Sequence, residues 1–179
     1  MVTASLDALG ARICIMGPSN SGKSTLAAAI GRARGLPVVH LDQLRHLPNT
    51  DWQERPDSDF AALHDMSIAG ERWVVEGNYS ALLPQRLERA TGVILLDVPT
   101  ATSLWRYVRR CCWEKGRHGG LEGGRDSVKW DMIRHILWPT RANRARYRRM
   151  FAGIARPKRL FDTRETLACF YAEEGLRRD

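Results

Sequence analysis

The 179-residue chain contains no C-x-x-C pair and no Cys/His cluster with zinc-site spacing, which argues against structural zinc and dithiol redox chemistry. Its four cysteines are Cys14, Cys111, Cys112 and Cys169. A disulfide between the adjacent Cys111 and Cys112 would be strained, so all four are read as reduced thiols of a cytoplasmic protein. No apolar run approaches the length of a membrane span, so no membrane partner is expected. Residues 1–10 include Asp7 and no basic stretch, so no secretory signal is expected. There is no internal repeat and no low-complexity linker, and the length fits a single domain over residues 1–179. The N-K-x-D string with which a GTP switch protein would read its base is also missing. Acid is scarce in one stretch only. Residues 101–159 carry 16 Lys and Arg against 4 Asp and Glu, whereas the rest of the chain carries 12 against 16. The net charge of +8 is therefore a local excess, suited to a bound polyphosphate or to nucleic acid.

What is present begins with Gly17-Pro18-Ser19-Asn20-Ser21-Gly22-Lys23-Ser24, a complete G-x-x-x-x-G-K-S string. An apolar run, Arg12 to Met16, precedes it, and the helix formers Thr25 to Ile30 follow. Strand, glycine loop and helix together make a cradle for the phosphates of a nucleoside triphosphate. Inward-pointing backbone N–H groups that open into a helix N-terminus offer donors and a partial positive charge at once. Gly17 and Gly22 allow backbone angles and close approaches that a side chain resists. Lys23 supplies a full charge toward the β- and γ-phosphates. Ser24 places its hydroxyl for Mg²⁺, and Thr25 is the neighbour for the α-phosphate.

Further runs lie at intervals: Val38 to Leu41, Trp73 to Val75, Val93 to Leu96 and a weaker Arg159 to Phe161. Their lack of alternation suits strands buried on both faces. Helical patterns lie between them. One covers Ser24 to about Arg34. A second covers Ser58 to Ala69, with Asp57 or Ser58 as its cap and Gly70 at its end. Others run over about 82–89, about 100–115, about 126–138 with a break at Pro139 and a resumption to about Phe151, and 164–174. The alternation predicts a doubly wound α/β fold, with a parallel five-stranded sheet and helices on both faces. Ligands in such sheets sit beyond the carboxyl ends of the strands.

Three acids fall at those ends: Asp42, Glu76 and Asp97. Glu76 is expected to hold the hydration shell of Mg²⁺, with Gly77 turning the chain close to a ligand. Asp42 is placed to accept the proton of an acceptor hydroxyl or to hold the substrate. Asp97 is followed by Val98 and Pro99 and reads as a cap on the next helix.

With these blocks in view, the chain resembles the adenylate-kinase-like branch of P-loop kinases. The resemblance rests on Gly17 to Ser24, Val74-Val75-Glu76-Gly77, and Leu96-Asp97-Val98-Pro99 followed by Leu104 to Arg110. Bacterial proteins called DNA topology modulation proteins share more. Their matching blocks look like His40 to Leu44, Trp52-x-x-Arg55-Pro56, Trp73 to Tyr79 and Leu104-Trp105-Arg106, over nearly the whole chain to about residue 145. The resemblance implies ATP and Mg²⁺ as cofactors, with Glu76 near the metal. It implies Arg106 stacked on the base and Arg110 opening a mobile lid over about 111–150, to which Arg117, Arg125, Arg134, Arg141 and Arg144 belong. It implies an acceptor-binding segment over about 42–70, with Asp42 as substrate contact and Arg55 as the anion contact. Adenylate kinases carry D-G-F-P-R after the third strand, and this chain has Glu76-Gly77-Asn78-Tyr79-Ser80, which argues against AMP as acceptor.

The basic stretch mixes arginine with Trp105, Tyr107, Trp113, Trp130, Trp138, Tyr147 and Phe151. Arginine beside aromatics suits stacked nucleic-acid contacts. Trp105 and Trp113, and likewise Trp130 and Trp138, lie eight residues apart, two helical turns, which suits inward-facing helix positions and leaves the arginines to a lid. The glycine-rich loop 116–125 would let that lid close. Two functions follow. One is a Mg²⁺-dependent phosphotransferase moving the γ-phosphoryl of ATP to a small or nucleotide-like acceptor, with Lys23, Asp42, Glu76 and Arg110 in the reaction. The alternative is a nucleotide-binding ATPase regulator that contacts DNA through residues 141–149.

Overall fold

The valine, isoleucine and leucine runs become five parallel strands. β1 (Arg12–Met16), β2 (Val38–His40), β3 (Trp73–Glu76), β4 (Gly92–Leu96) and β5 (Lys158–Phe161) lie in the order β2-β3-β1-β4-β5. The computed structural model describes residues 4–50, 52–99, 102, 103, 105 and 139–178, and of 139–143 only the backbone. Register places Ile15 and His40 on either side of Glu76, Met16 beside Leu95, and Leu96 beside Phe161.

Successive side chains of a strand point to opposite faces, and β1 feeds two cores in this way. Ile13 and Ile15 pack with Leu26, Ile30, Phe161 and Phe170. Cys14 and Met16 pack with Trp73, Val75, Leu95 and Phe151. The first core is covered by α1 (Leu6–Leu9), α2 (Lys23–Arg34) and α7 (Arg164–Glu173). The second is covered by α4 (Asp57–Ile68), α5 (Leu83–Arg89) and α6 (Pro139–Gly153), with Leu41 of α3 (Leu41–Arg45) at its rim. Each fully buried leucine, isoleucine or phenylalanine contributes about 2 kcal/mol of transfer free energy. This is the expected doubly wound sheet with helices on both faces. The chain leaves β1 toward one edge for β2 and later crosses to the other for β4 and β5. The loop after β1 therefore opens at the point where the strand order reverses, the site of a ligand crevice.

Several boundaries differ from the sequence reading. Strand two ends at His40, because Leu41 turns into α3 and is buried against the sheet from there. Asp42 consequently sits in the first turn of a short helix rather than at a strand end. α4 starts at Asp57, with Pro56 at its cap position and no side-chain cap bond, so neither Asp57 nor Ser58 caps it. Proline at 56 fixes its own φ without needing a donor there. α6 is described from Pro139 onward, so the expected break there lies at the edge of the described residues. The helix α1, four residues capped by the Ser5 side chain, is too short to show a period in sequence. Thr102, Ser103 and Trp105 are helical. The remaining expectations over 100–138, including the pair Cys111 and Cys112, the tryptophans 113, 130 and 138, and the glycine-rich loop, lie outside the described residues.

Candidate functional site

Residues 17–22 turn between β1 and α2 with three positive-φ positions in six residues. Gly17 has φ +150° and Gly22 φ +97°, while Asn20 adopts φ +59°. A Cβ on Gly17 would lie 2.4 Å from the Leu96 carbonyl oxygen, so the loop is seated directly against the end of β4. α2 begins at Lys23 with Gly22 in its cap position and no side-chain cap bond. Pro18 and Ser21 are buried, and Ser19, Ser24 and Thr25 are half-buried at its mouth. The uncapped amides of the first turn are the donors an anion would use. Lys23 Nζ donates to the Pro18 carbonyl at 2.9 Å, folded along its own loop.

The structure brings Ser24 and Glu76 together: Ser24 Oγ donates to Glu76 Oε1 at 2.9 Å. His40 Nδ1 meets the same oxygen at 2.9 Å, because β2 and β3 run in register at His40 and Glu76. Glu76 is buried. Burial alone would raise its carboxyl, but the His40 hydrogen bond, the Lys23 charge and the Ser24 hydrogen bond together outweigh it and hold the carboxyl below the usual glutamate range. The result is an ionised carboxylate beside a helix N-terminus, a lysine and a hydroxyl. Among the described residues no cluster of three His, Cys, Asp or Glu side chains could cage a metal. One hydroxyl and one carboxylate instead suit a hard cation that keeps most of its waters, which is the behaviour of Mg²⁺. The donor set fits that ion.

Toward α3, Tyr79 donates its hydroxyl to Asp42 Oδ1 at 2.7 Å. Burial, and then the Asp42 carboxylate, push that hydroxyl well above its ordinary range, so it stays protonated. The Tyr79 ring packs edge-on against Phe60 of α4, with centroids 4.9 Å apart. Arg45 bonds Glu54 and Asp57, which ties α3 to the start of α4. The chain between them forms a small loop, with Leu47 N–H donating to the Gln53 carbonyl and Arg55 N–H to that of Arg45. Arg55 is half-buried, and its Nε donates to the Leu44 carbonyl at 3.0 Å.

Asp97 has partners the sequence did not indicate: its buried carboxylate accepts from Arg144 and Arg148 of α6, with Arg144 Nη2 at 3.2 Å from Oδ2, while the amides it was expected to cap lie partly outside the described residues. Two arginines of the basic stretch therefore face the sheet. Arg106 and Arg110, with Arg117, Arg125 and Arg134, lie outside the described residues, and so does the Arg141 side chain.

Four site residues escaped the sequence reading: His40, Asn78, Tyr79 and Arg86. The Asn78 side chain grips Gly17 from both sides, with Nδ2 donating to its carbonyl at 2.9 Å and Oδ1 accepting from its N–H at 3.2 Å. Arg86 is fully buried on the apolar stripe of α5. A lone arginine three residues after Leu83 on that stripe was its one sequence signal.

A cavity of about 230 Å³ lies beyond the ends of β4 and β5, bordered by Leu96, Val98, Thr102, Phe161 and Thr163. A larger, open depression of about 630 Å³ lies at the opposite, amino ends of the strands. Arg12 and Arg89 on its wall both pair with Glu71. No described helix is long and apolar enough to cross a membrane.

The parallel order β2-β3-β1-β4-β5, the loop after β1 and the acid that ends β3 make up one α/β fold. Three solved structures share it. A gluconokinase from Sinorhizobium meliloti 1021 superposes with a TM-score of 0.56 at 19% identity, covering 93% of this chain and 90% of its own. A shikimate kinase from Aquifex aeolicus gives 0.52 at 14%, covering 91% and 95%. A sugar kinase from Janibacter sp. HTCC2649 gives 0.50 at 15%, covering 90% of each. No family model and no curated protein sequence matches the chain.

Proposed function

We propose that the protein is a phosphotransferase that moves the γ-phosphoryl of ATP to a hydroxyl of a small acceptor. The observation that carries this reading is the Ser24–Glu76 contact, a hydroxyl and an ionised, buried carboxylate joined at the start of α2. The likeness in fold to a gluconokinase, a shikimate kinase and a sugar kinase supports a small hydroxylated acceptor.

The loop amides and Lys23 bind the triphosphate, with Lys23 leaving the Pro18 carbonyl to meet the β- and γ-phosphates. Ser24 and Glu76 would hold Mg²⁺, which neutralises charge on the phosphate oxygens when bound. Asp42, oriented by Tyr79, accepts the proton of the acceptor hydroxyl as its oxygen bonds to the γ-phosphorus. The bond from that phosphorus to the bridging oxygen breaks, and ADP leaves with the electron pair. Arg55 contributes to the acceptor side. Arg110 and the arginines after it meet the transferring charge, and Arg106 stacks on the base, which reaches toward the cavity beyond β4 and β5. A cytoplasmic setting agrees with the free thiols of Cys14 and Cys169. The reading as a DNA-contacting ATPase rests on the arginines of 141–149, two of which, Arg144 and Arg148, share the Asp97 carboxylate.

The test is ADP release with ATP and Mg²⁺ across a panel of sugars, sugar acids, nucleosides and nucleotides. One acceptor should raise the rate strongly, and Lys23→Ala should abolish that rise. Slow release that no acceptor changes would contradict the proposal.

A further inference from the structure

The loop after β3 does two jobs through adjacent residues: Asn78 clamps the first residue of the phosphate loop, and Tyr79 fixes the acceptor-side carboxylate. Its backbone is unusual. Gly77 has φ +130°, and a Cβ there would lie 2.9 Å from the Leu41 Cβ. Tyr79, two residues on, is a non-glycine residue at φ +34° and ψ +72°. Left-handed backbone at a bulky residue persists only where its surroundings hold it. The turn also aims three consecutive carbonyls, those of residues 77, 78 and 79, toward one point under the sheet.

Arg86 occupies that point. It donates from Nη1 to the Gly77 carbonyl at 3.2 Å and from Nη2 to the carbonyls of Asn78 and, at 3.3 Å, Tyr79. Its guanidinium is fully buried, and among the described residues it bonds no carboxylate and its Nε has no partner. A buried guanidinium that no carboxylate bonds is costly even with the Glu76 charge acting from a distance, and an apolar residue would fit the stripe of Leu83 and Ala90 better. What the guanidinium supplies, and an apolar side chain cannot, is a rigid planar set of donors that reaches several carbonyls at once.

We propose that Arg86 is a positioning residue: by holding the carbonyls of residues 77–79 it sets both the Asn78 clamp on Gly17 and the Tyr79–Asp42 contact, so that one buried guanidinium fixes the triphosphate loop relative to the acceptor carboxylate. The inference rests on the phosphotransferase reading for its acceptor half, and on nucleotide binding alone for the other half.

The experiment compares wild type, Arg86→Lys, Asn78→Ala and the double variant. It measures the thermal midpoint, the Kd for MgATP without turnover, and kcat and KM for the stimulating acceptor below the lowest midpoint. Arg86→Lys should lower kcat at least about tenfold and raise the nucleotide Kd while the protein stays folded, since misplacement by about 1 Å can cost up to about 100-fold. The double variant should lose little more than the worse single variant, because both act through the same loop. A lowered midpoint with unchanged Kd, kcat and KM would mean that Arg86 only stabilises the fold, and additive losses would mean separate routes; either overturns the proposal. Should Arg86→Lys not fold, Asn78→Ala and Tyr79→Phe test the two ends of the route with Arg86 in place. Asn78→Ala should raise the nucleotide Kd and Tyr79→Phe the acceptor KM, and no change in either would overturn it. If wild type binds MgATP but no acceptor stimulates it, the phosphotransferase reading fails and the Kd comparison alone decides the role of Arg86.

Discussion

Glu76 and Asp97 stand on either side of the phosphate loop, at the carboxyl ends of the two strands that flank β1, and both are buried. Their partners separate them. Glu76 accepts from a hydroxyl and an imidazole, with the Lys23 charge nearby and no guanidinium bonded to it, which leaves it available to a cation. Asp97 accepts from two guanidiniums, which neutralise it and tie α6 to the sheet. On the proposed function, the same position in a parallel sheet thus yields a carboxylate for chemistry or a carboxylate for architecture, according to what the neighbouring elements bring to it.

The largest expected effect lies on the Glu76 side. Glu76→Gln keeps the shape and the buried position but removes the charge, and kcat should fall about 100-fold or more, as when one preorganised electrostatic group is lost from an active site. Its thermal midpoint should fall only modestly, since the shape is kept and only the share of stability owed to the lowered carboxyl is lost. Asp97→Asn should do the reverse. Two half-exposed arginines lose their counter-charge, the fold should lose about 2 kcal/mol, and the midpoint should drop by about 4–8 °C for a chain of this size. Turnover of the folded protein should stay near wild type. Thermal melts and steady-state rates on the two variants check both statements. The comparison breaks if both lose activity equally at equal stability.

Much of the Glu76 side could be read from the chain because its parts are local. The phosphate loop is one unbroken string from Gly17 to Ser24, and the acid closes an apolar run, so pairing Ser24 with Glu76 needs only the general layout of a parallel sheet. His40 was not legible as a site residue, because its contact depends on β2 pairing with β3 in a register that no string of residues spells out. The arginine partners of Asp97 were not legible for the same reason over a longer span: they come 47 and 51 residues later, on a helix that returns to the sheet from outside the site. Asn78 and Tyr79 lay inside a block already singled out, but their roles follow from a turn in left-handed backbone that the sequence signals only at Gly77.

The smallest expected effect sharpens the Glu76 side further. The carboxyl works ionised, and its depressed folded value keeps it so; activity is lost as pH falls through that value. The His40 hydrogen bond is the largest influence opposing burial. In His40→Ala the push of burial is less opposed, so the acid limb of the kcat/KM profile should move to higher pH, and the rate at neutral pH should fall about tenfold, as for other groups that orient a metal-binding carboxylate. Stability follows the same sign: the share owed to the lowered carboxyl is present above the ordinary glutamate range and disappears as pH falls through the folded value. An unmoved limb would show that His40 does not set the charge of Glu76.

The central claim is that Glu76, and not Asp97, is the acid that serves the cation of the bound triphosphate. The most direct test is turnover as a function of free Mg²⁺ for wild type, Glu76→Gln and Asp97→Asn, below the midpoint of the least stable variant. The account predicts that Asp97→Asn follows the wild-type curve, while Glu76→Gln needs more Mg²⁺ and stays slow at saturation. A wild-type curve from Glu76→Gln, or a folded Asp97→Asn protein that no concentration of Mg²⁺ makes active, would contradict it.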